Sequence, residues 1–427
     1  MEVIYKRNIL NMPFEKYIHY FIIYLMVSLN GAFWFESKPD MVLYGILALY
    51  FILFIFNSKY RKHITIGISG FLLTCVLYVR LINNGGIGID TWILWSGQIL
   101  IVFIAYLFNE EEFVNRYVKF IFILAIISLI FWQVTLINPK MITNIFSPSE
   151  AYSYNGIFYG KWIYVYRTSL WDLGARNNGI FSEPGRYQTV LISCMYMLFF
   201  KREKINITDK MYYVFCIVIM ITLISVGSTT GFIGLLILMV HYLIKSFNVN
   251  RFSINERKIR RIIVFIIFIL AIFFLTDLYI NQENSIYNTI IVNKINDTFK
   301  DQGSSGAARM GAMSIYIDTI MKNPWGVGYD KLTMALNNSI YSSNVAGAGM
   351  IRFVAAIGII PSVIIISLGL YPFLINRNSY WIDYISFICI YINISLAQTY
   401  AFYPSLIIIP VMIYYEIKRR NNYKIKG

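Results

Sequence analysis

The chain has 427 residues, of which 58% are hydrophobic and only 14% are charged. A soluble domain carries roughly 25% charged residues, so this composition excludes an ordinary water-soluble enzyme. The net charge of +15 at pH 7 comes mainly from short loops between apolar segments. That pattern favours a membrane protein over a nucleic-acid-binding protein.

Apolar runs of about 18 residues, the length that crosses a hydrocarbon core, recur along the chain. Backbone groups in lipid must be satisfied internally, and the runs do not alternate as barrel strands do, so we expect helices. The predicted fold class is all-α: a polytopic membrane protein of about 12 transmembrane helices, with 1–427 as a single integral membrane domain. The predicted spans are 17–35, 41–56, 64–82, 92–108, 118–137, 186–200, 211–226, 230–245, 262–280, 350–374, 380–397 and 401–415.

Lysine and arginine predict the orientation of these spans, because short cytoplasmic loops collect them. One side of the predicted topology is basic, and both termini lie on it, so we expect both termini in the cytoplasm. The basic residues are Lys59, Arg61, Lys62, Lys201, Arg202, Lys204, Lys210, Arg251, Arg257, Lys258, Arg260, Arg261, Lys418, Arg419, Arg420, Lys424 and Lys426.

Two long segments, 138–185 and 281–349, face the opposite side, so we predict two extracytoplasmic loops that contain short helices. Loops of this length are usually functional or carry structure of their own. The second contains a helix-like stretch at 307–321, which Asn323 and Pro324 end.

Arginine is the side chain in these loops that most suggests a ligand, because its planar fork binds phosphate in bidentate fashion. Arg186 and Arg352 lie near predicted span ends, where a charge is costly unless it is paired or faces water. With Arg176 and Arg309, they suggest an external site for an anionic, phosphate-bearing ligand. Snorkelling to the interface is the alternative for any single arginine.

Two short segments add candidate site residues. Pro184 suits the first turn of a helix, which would place Glu183 at the positive end of that helix. Glu183 could pair with an arginine or accept a proton, and a helix cap with a local ion pair is the alternative. Gly326 and Gly328 allow a tight turn before Tyr329. No cluster of residues with metal-ligand spacing is visible, so we expect no metal and no cofactor.

Three motifs in this order resemble the O-antigen polymerase and ligase superfamily: RNNGIFSEPGRY at 176–187, GSTTGFIG at 227–234, and RMGAMSIYIDTIMKNPWGVGYDKL at 309–332. The resemblance implies glycosyl transfer at the outer face of the bacterial inner membrane. The donor would be a glycan on undecaprenyl pyrophosphate, and the acceptor a sugar hydroxyl of another lipid-linked repeat unit. Ligases of the superfamily use an outer-loop histidine. The histidines here are His19, His63 and His241, outside both long loops, which favours a polymerase.

The resemblance also implies roles for individual residues. Arg176 and Arg309 match arginines of the superfamily and would bind the pyrophosphate in a metal-independent reaction. Glu183 would orient an arginine or accept the hydroxyl proton. The expected substrate-binding residues are Arg186, Tyr329 and Arg352. Aromatic residues could stack on sugars; the candidates are Trp162, Trp171 and Trp325.

The partners implied are lipid-linked glycans, membrane lipid and a chain-length regulator protein, without nucleic acid. Alternative functions are an O-antigen ligase-like glycosyltransferase, a lipid-linked oligosaccharide flippase and a secondary transporter. A flippase would need charged or polar residues through the membrane interior and no long outer loops. A transporter of two six-span halves would show related halves.

Overall fold

The computed structural model describes residues 13–37, 45, 89–146, 148–149, 156–160, 162–169, 176–248, 305–337, 348–375, 381–398 and 402–426. The predicted spans 64–82 and 262–280 lie outside these residues, as does 41–56 except for Gly45. Helices make up 82% of the described residues, so the prediction of a mainly helical fold is confirmed.

The first helices of the chain are α1 (Pro13–Ser28), α2 (Phe33–Ser37), α3 (Ile89–Phe108), α4 (Phe113–Ile137), α5 (Pro139–Ile145), α6 (Pro184–Phe200), α7 (Asp209–Val226) and α8 (Thr229–Asn248). The later helices are α9 (Ser305–Lys322), α10 (Tyr329–Asn337), α11 (Gly349–Ile357), α12 (Ile359–Ile375), α13 (Trp381–Ala397) and α14 (Pro404–Lys426).

The all-α prediction is wrong for the first long loop, which contains a small antiparallel sheet as well as α5. Its strands are β1 (Pro148–Ser149), β2 (Gly156–Gly160) and β3 (Val165–Ser169), in the order β1-β2-β3. Aromatic and β-branched residues in β2 and β3 favour extended backbone. Gly160 has φ +120°, and a Cβ there would overlap the Tyr164 carbonyl, so glycine allows the hairpin to close.

The chain divides into two compact units. The first comprises Met1–Thr74, Ile89–Phe232 and Phe402–Gly427, and the second comprises Cys75–Gly88 and Ile233–Ala401.

Six helices of the first unit alternate in direction between two ends, of which one, called the charged end below, carries several ion pairs. Helices α1, α4 and α7 begin at the charged end, whereas α3 and α6 finish there and α14 runs towards it. The ion pairs at that end are Arg116–Glu15, Lys201–Glu416, Lys204–Glu416 and Arg419–Glu110. At the other end, Asn30 Nδ2 donates to Ser405 Oγ at 2.9 Å. At least four of the basic residues predicted to be cytoplasmic therefore share one end of this unit: Lys201, Arg202, Lys204 and Arg419.

Helix α6 is the central helix of the first unit, because every residue from Pro184 to Phe199 is buried. Several of its polar side chains find partners within the unit, whereas the amide atoms of Gln188 make no hydrogen bond to the described residues. The Tyr117 hydroxyl, for example, lies 2.6 Å from Ser193 Oγ and 3.2 Å from Ser405 Oγ. A helix that is buried on all sides does not need an amphipathic pattern.

Two helices among the described residues, α4 and α7, are long and apolar enough to cross a membrane. Both expose large hydrophobic side chains on one face. On α7 these recur every three or four residues, at Val214, Ile217, Ile221 and Ile224. Shorter apolar helices occupy Gly97–Phe108, Thr229–Lys245, Ile359–Phe373 and Trp381–Ala397.

Glycine breaks divide two of the predicted spans. The predicted span 17–35 becomes α1 and α2, separated by a turn at Gly31 (φ +103°). The predicted span 350–374 becomes α11 and α12, separated at Gly358 (φ +97°). Positive φ ends a right-handed helix, and glycine adopts it without steric cost. An apolar run is therefore not always one helix.

In the second unit, the helix predicted at 307–321 is confirmed as α9. The turn after it packs against the break between α11 and α12: Val327 N donates to Ala355 O at 3.1 Å and Ile359 N to Pro324 O at 2.9 Å. A Cβ at Gly326 would lie 2.5 Å from Ala356 O. The turn thus satisfies backbone groups that two helix ends would otherwise leave without partners.

Candidate functional site

The start of α6 carries two of the predicted site residues. Glu183 is the N-cap residue, with φ −134° and ψ 139°, and Pro184 occupies the first helical turn, as the sequence predicted. Glu183 Oε2 lies 3.8 Å from Arg186 Nε, and the Glu183 side chain is 41% exposed. The carboxylate therefore pairs locally with Arg186 while part of it stays accessible.

Arg186 is almost completely buried, at 6% exposure. Its Nη1 donates to Ser182 Oγ at 3.1 Å, and its side chain lies against the Gly31 turn. A Cβ at Gly31 would come within 2.5 Å of both Arg186 Cδ and Nη1. The α1–α2 turn therefore holds the guanidinium beside the positive end of α6, where an anion is favoured electrostatically.

Arg176 connects two of the sequence motifs. Its Nε donates to Val226 O at 3.1 Å, the last residue of α7. Gly227 follows in the left-handed conformation, with φ 60° and ψ 36°, and its α-carbon lies beside the Arg176 side chain. The arginine of the first motif is thereby fixed against the turn that begins the second motif.

Asn177 connects the first motif to α4 and α7, although the sequence reasoning did not single it out. Its Nδ2 donates to Ser128 Oγ at 3.1 Å and to Ser225 Oγ at 3.0 Å, and its Oδ1 accepts from Gly179 N at 3.0 Å. Its backbone N also donates to Ser225 O at 3.0 Å. The only available signal was its position beside Arg176 in a polar segment that precedes a helix.

The segment between Asn177 and α6 is rigidly packed. Gly179 (φ +57°) lies against the ring of Tyr187, whose hydroxyl is 2.9 Å from Ser128 Oγ. Phe33 N donates to Ile180 O at 3.0 Å, so the segment also pairs with the chain that enters α2. The predicted residues Arg176, Glu183 and Arg186 thus belong to one well-supported segment.

The second motif contacts α6 as well. Gly231, in the first turn of α8, faces Gln188, and a Cβ there would lie 2.6 Å from Gln188 Oε1. Gln188 is completely buried. The glycine therefore makes room for a polar side chain where α8 approaches α6, as small residues do at close helix contacts.

In the second unit, Tyr329 and Arg352 lie together. Arg352 Cζ is 4.9 Å from the centroid of the Tyr329 ring, and Arg352 Nη2 donates to Thr333 Oγ1 at 3.3 Å. Desolvation raises the pKa of Tyr329, which the positive charge of Arg352 partly opposes. The phenol is therefore neutral at physiological pH and can donate a hydrogen bond.

The remaining predicted residues are described only in part. Arg309 lies in α9, but its side chain is outside the described residues, and so is all of Trp171. Trp325 and Trp162 are both more than half exposed. That Arg309 and Arg176 act on one phosphate group stays a prediction.

The first unit thus holds the buried Arg186 guanidinium and the half-exposed Glu183 carboxylate at the N-terminus of α6, and the part-buried Arg176 guanidinium at the α7–α8 turn. Such a set can bind an anion through the arginines, and the carboxylate can orient an arginine or accept a proton. Within the described part of the chain, no three His, Cys, Asp or Glu side chains are grouped closely enough to hold a metal ion. Comparison of the sequence and structure with models of protein families, with curated proteins and with solved structures finds no match.

Proposed function

We propose that this protein is a polytopic membrane glycosyltransferase that polymerises lipid-linked oligosaccharides. It would join repeat units carried on undecaprenyl pyrophosphate into O-antigen or a related surface polysaccharide, at the outer face of the bacterial inner membrane. The proposal places it in the O-antigen polymerase and ligase superfamily, with about 12 spans and both termini in the cytoplasm.

The observation that carries this proposal is the junction between the first two motifs. Arg176 and Asn177 are bonded to the last two residues of α7, Ser225 and Val226, although about 50 residues separate them in sequence. The motifs were selected from the sequence because their order resembles this superfamily. Their meeting at one end of a helical unit is what a shared active site requires.

The chemistry of the reaction matches these side chains. The leaving group is a lipid pyrophosphate, so negative charge grows on phosphate oxygens in the transition state. Preorganised guanidinium groups stabilise that charge more as it develops, which lowers the barrier instead of only tightening binding. Glu183, which pairs with Arg186 and is partly exposed, would accept the proton of the attacking sugar hydroxyl.

The helical arrangement supports a membrane location. Helices of the first unit alternate in direction, and the basic residues Lys201, Lys204 and Arg419 lie at one end. The Arg176–Arg186 segment belongs to the other end, together with the α7–α8 turn. Under the positive-inside rule, the basic end is cytoplasmic and the candidate site is extracytoplasmic.

Reconstitution of the purified protein with an undecaprenyl-pyrophosphate-linked repeat unit tests the proposal. We expect the wild-type protein to form a ladder of polymers, and Arg176→Ala to lower the rate by about 100-fold or more, as for loss of one preorganised donor. Arg176→Lys should restore little, because lysine cannot bind phosphate in bidentate fashion.

Lys322→Ala is the matched control. Lys322 is an exposed cation in the second long loop, paired only locally with exposed Asp318 at 2.7 Å, so its loss should leave the rate unchanged. Wild-type protein that lengthens no glycan, or Arg176→Ala that polymerises normally, would contradict the proposal.

One observation favours a second candidate, a lipid-linked oligosaccharide flippase. His241 on α8 and Asp383 on α13 are buried, with His241 Nε2 at 2.6 Å from Asp383 Oδ1, and Lys245 Nζ lies 3.0 Å from the same oxygen. Ionisable groups within apolar helices commonly mark transport pathways. A bacterial deletion strain separates the candidates, because loss of a polymerase leaves single repeat units on the surface, whereas loss of a flippase leaves none.

A further inference from the structure

A patch of exposed apolar side chains lies on the first long loop. Ile137 at the end of α4 is 81% exposed, and Met141 and Ile145 on α5 are 49% and 57% exposed. At the turn between β2 and β3, Trp162 and Ile163 are 58% and 50% exposed. These five residues are called the interfacial patch below. A loop that faced only water would not be expected to present so many large apolar side chains.

Helix α5 is packed against the rest of the unit, and this packing fixes the orientation of its exposed residues. Ile142 is completely buried, although it is next in sequence to the exposed Met141. Phe146, just after the helix, packs edge-on against Phe131 of α4, with ring centroids 5.4 Å apart. Helix α5 therefore has apolar residues that are packed as well as apolar residues that are exposed.

The β2–β3 turn is fixed in the same manner. The ring of Trp162 stacks on that of Trp34, with centroids 5.2 Å apart and planes within 7°, and Tyr24 Oη donates to the Trp162 carbonyl at 3.3 Å. Tyr164 stacks on Phe131 at 5.3 Å. The position of the exposed Trp162 ring is thus fixed by its stacking on Trp34.

The patch continues the exposed face of a helix that can cross a membrane. Ile123, Ile130 and Ile137 are spaced seven residues apart on α4 and are all more than half exposed, so they share one side of that helix. Met141 and Ile145 are four residues apart on α5, a separate helix that begins after Asn138. The polar residues Lys140 and Asn144 on α5 are also exposed. Tryptophan, lysine and apolar residues together are typical of the membrane–water interface.

We propose that the interfacial patch lies in the bilayer interface and anchors the first long loop to the membrane. The occupant is lipid, at the depth of the headgroups and the first acyl carbons. This inference rests on the proposed function for the membrane location of α4. An anchored first loop would place the chain that leads into Arg176 at the membrane surface. The pyrophosphate of a polyprenyl-linked glycan lies at the same depth, so the donor can reach the site by lateral diffusion within the bilayer.

Depth measurements on labelled protein in nanodiscs test the inference. Met141→Cys and Ile145→Cys are each labelled with an environment-sensitive fluorophore, in a background in which Cys75 and Cys389 are replaced by serine. Cys194 and Cys216 are buried and should not react. We expect blue-shifted emission, stronger quenching by lipids with a shallow nitroxide than with a deep one, and protection from aqueous iodide.

Two control positions make the result interpretable. Asn144→Cys samples the polar side of α5, so its label should be quenched several times more by iodide than the labels at Met141 and Ile145. Ile123→Cys lies within α4 and should be quenched best by a deep nitroxide. If the labels at Met141 and Ile145 are accessible to water while the label at Ile123 is quenched by lipid, the anchoring of the loop is refuted but the membrane location of α4 is not. Water accessibility at Ile123 as well would remove the membrane location on which the proposed function depends.

Other occupants give different outcomes, and each would overturn the inference. A patch covered by a second copy would protect the labels from both iodide and lipid nitroxides, and would give a dimer in the nanodisc. A sugar-binding role for Trp162 would leave the Met141 and Ile145 labels in water. Binding of the phosphate-free repeat-unit oligosaccharide would then weaken roughly two- to tenfold in Trp162→Ala, the size of one lost aromatic contact.

Discussion

Replacing Asn177 with alanine removes the side chain that connects the first motif to α4 and α7. The Asn177 amide makes three hydrogen bonds, to Ser128, Ser225 and Gly179, at 3.0–3.1 Å. The residue is completely buried, so water does not replace these partners easily. We expect the variant to insert into the membrane but to lose both stability and activity.

The size of the effect follows from the number of bonds. A hydrogen bond contributes about 1 kcal/mol in soluble proteins and about 0.6 kcal/mol on average within a membrane, so three bonds give roughly 2–3 kcal/mol. The neighbouring Asn178 is a matched control. Asn178 is also buried, but its Oδ1 accepts no hydrogen bond from the described residues. Its replacement by alanine should cost less than about 1 kcal/mol.

Reversible unfolding in mixed micelles, followed by tryptophan fluorescence, measures the free energy of unfolding of both variants. Polymer formation in the reconstituted system measures activity. Asn177→Ala should also lower the polymerisation rate, because Arg176 is the adjacent residue and loses its fixed position. Equal destabilisation by the two asparagine variants would refute the assignment of Asn177 as the connecting residue. A decrease of less than about 1 kcal/mol in the free energy of unfolding of Asn177→Ala would refute it as well.

Two glycine variants test close contacts that the structure shows. Gly31→Ala adds a Cβ 2.5 Å from two atoms of Arg186, so we expect the guanidinium to move and the polymerisation rate to fall at least about tenfold. Normal activity in a folded variant would show that Arg186 need not occupy this position. Gly326→Ala places a Cβ 2.5 Å from a backbone oxygen at a φ of +89°, and overpacking plus strain should cost about 3 kcal/mol or more. Thermal unfolding that is unchanged in Gly326→Ala would contradict the described turn.

Much of the helical organisation could be predicted from the sequence, because apolar length and helix signals are local properties. The predicted span 211–226 corresponds to α7, and 118–137 to the larger part of α4. Pro184 begins α6 as expected, and Asn323 with Pro324 follows the end of α9. These signals act within one helical turn, so no tertiary information was needed.

The break at Gly358 could not be predicted in this way, because that glycine sits in an apolar run whose hydrophobicity does not change. Gly31 follows Asn30, and an Asn-Gly pair is a turn signal that the single predicted span 17–35 did not take into account. Each glycine is also required by a distant segment. Gly31 is packed against Arg186, and Gly358 is packed against the Trp325 backbone. A glycine that ends a helix for a tertiary reason looks in the sequence like a glycine tolerated within one.

The candidate site could be predicted in its residue types but not in its connections. Arg186 and Arg352 were found because a charge near the end of an apolar span is unusual, and Arg176 and Arg309 because they lie in motifs that resemble the superfamily. Asn177 and Gln188 were missed, since a buried amide carries no charge and its importance depends on partners far away in sequence. The sheet in the first loop was missed because its strands, of two to five residues, are too short to show a clear alternation.

The resemblance implies that Arg176 and Arg309 act on one pyrophosphate, and a double-mutant cycle tests that expectation without structural assumptions. Removal of a single preorganised donor costs roughly 100- to 1,000-fold in rate. If both arginines stabilise the same transition state, removing the second should add much less than removing the first, because residues that act as a unit are non-additive. Arg176→Ala, Arg309→Ala and the double variant should then all polymerise at similarly low rates. If the losses multiply to about 10,000-fold or more, the two arginines contribute independently, and a pyrophosphate site that depends on both acting together is refuted.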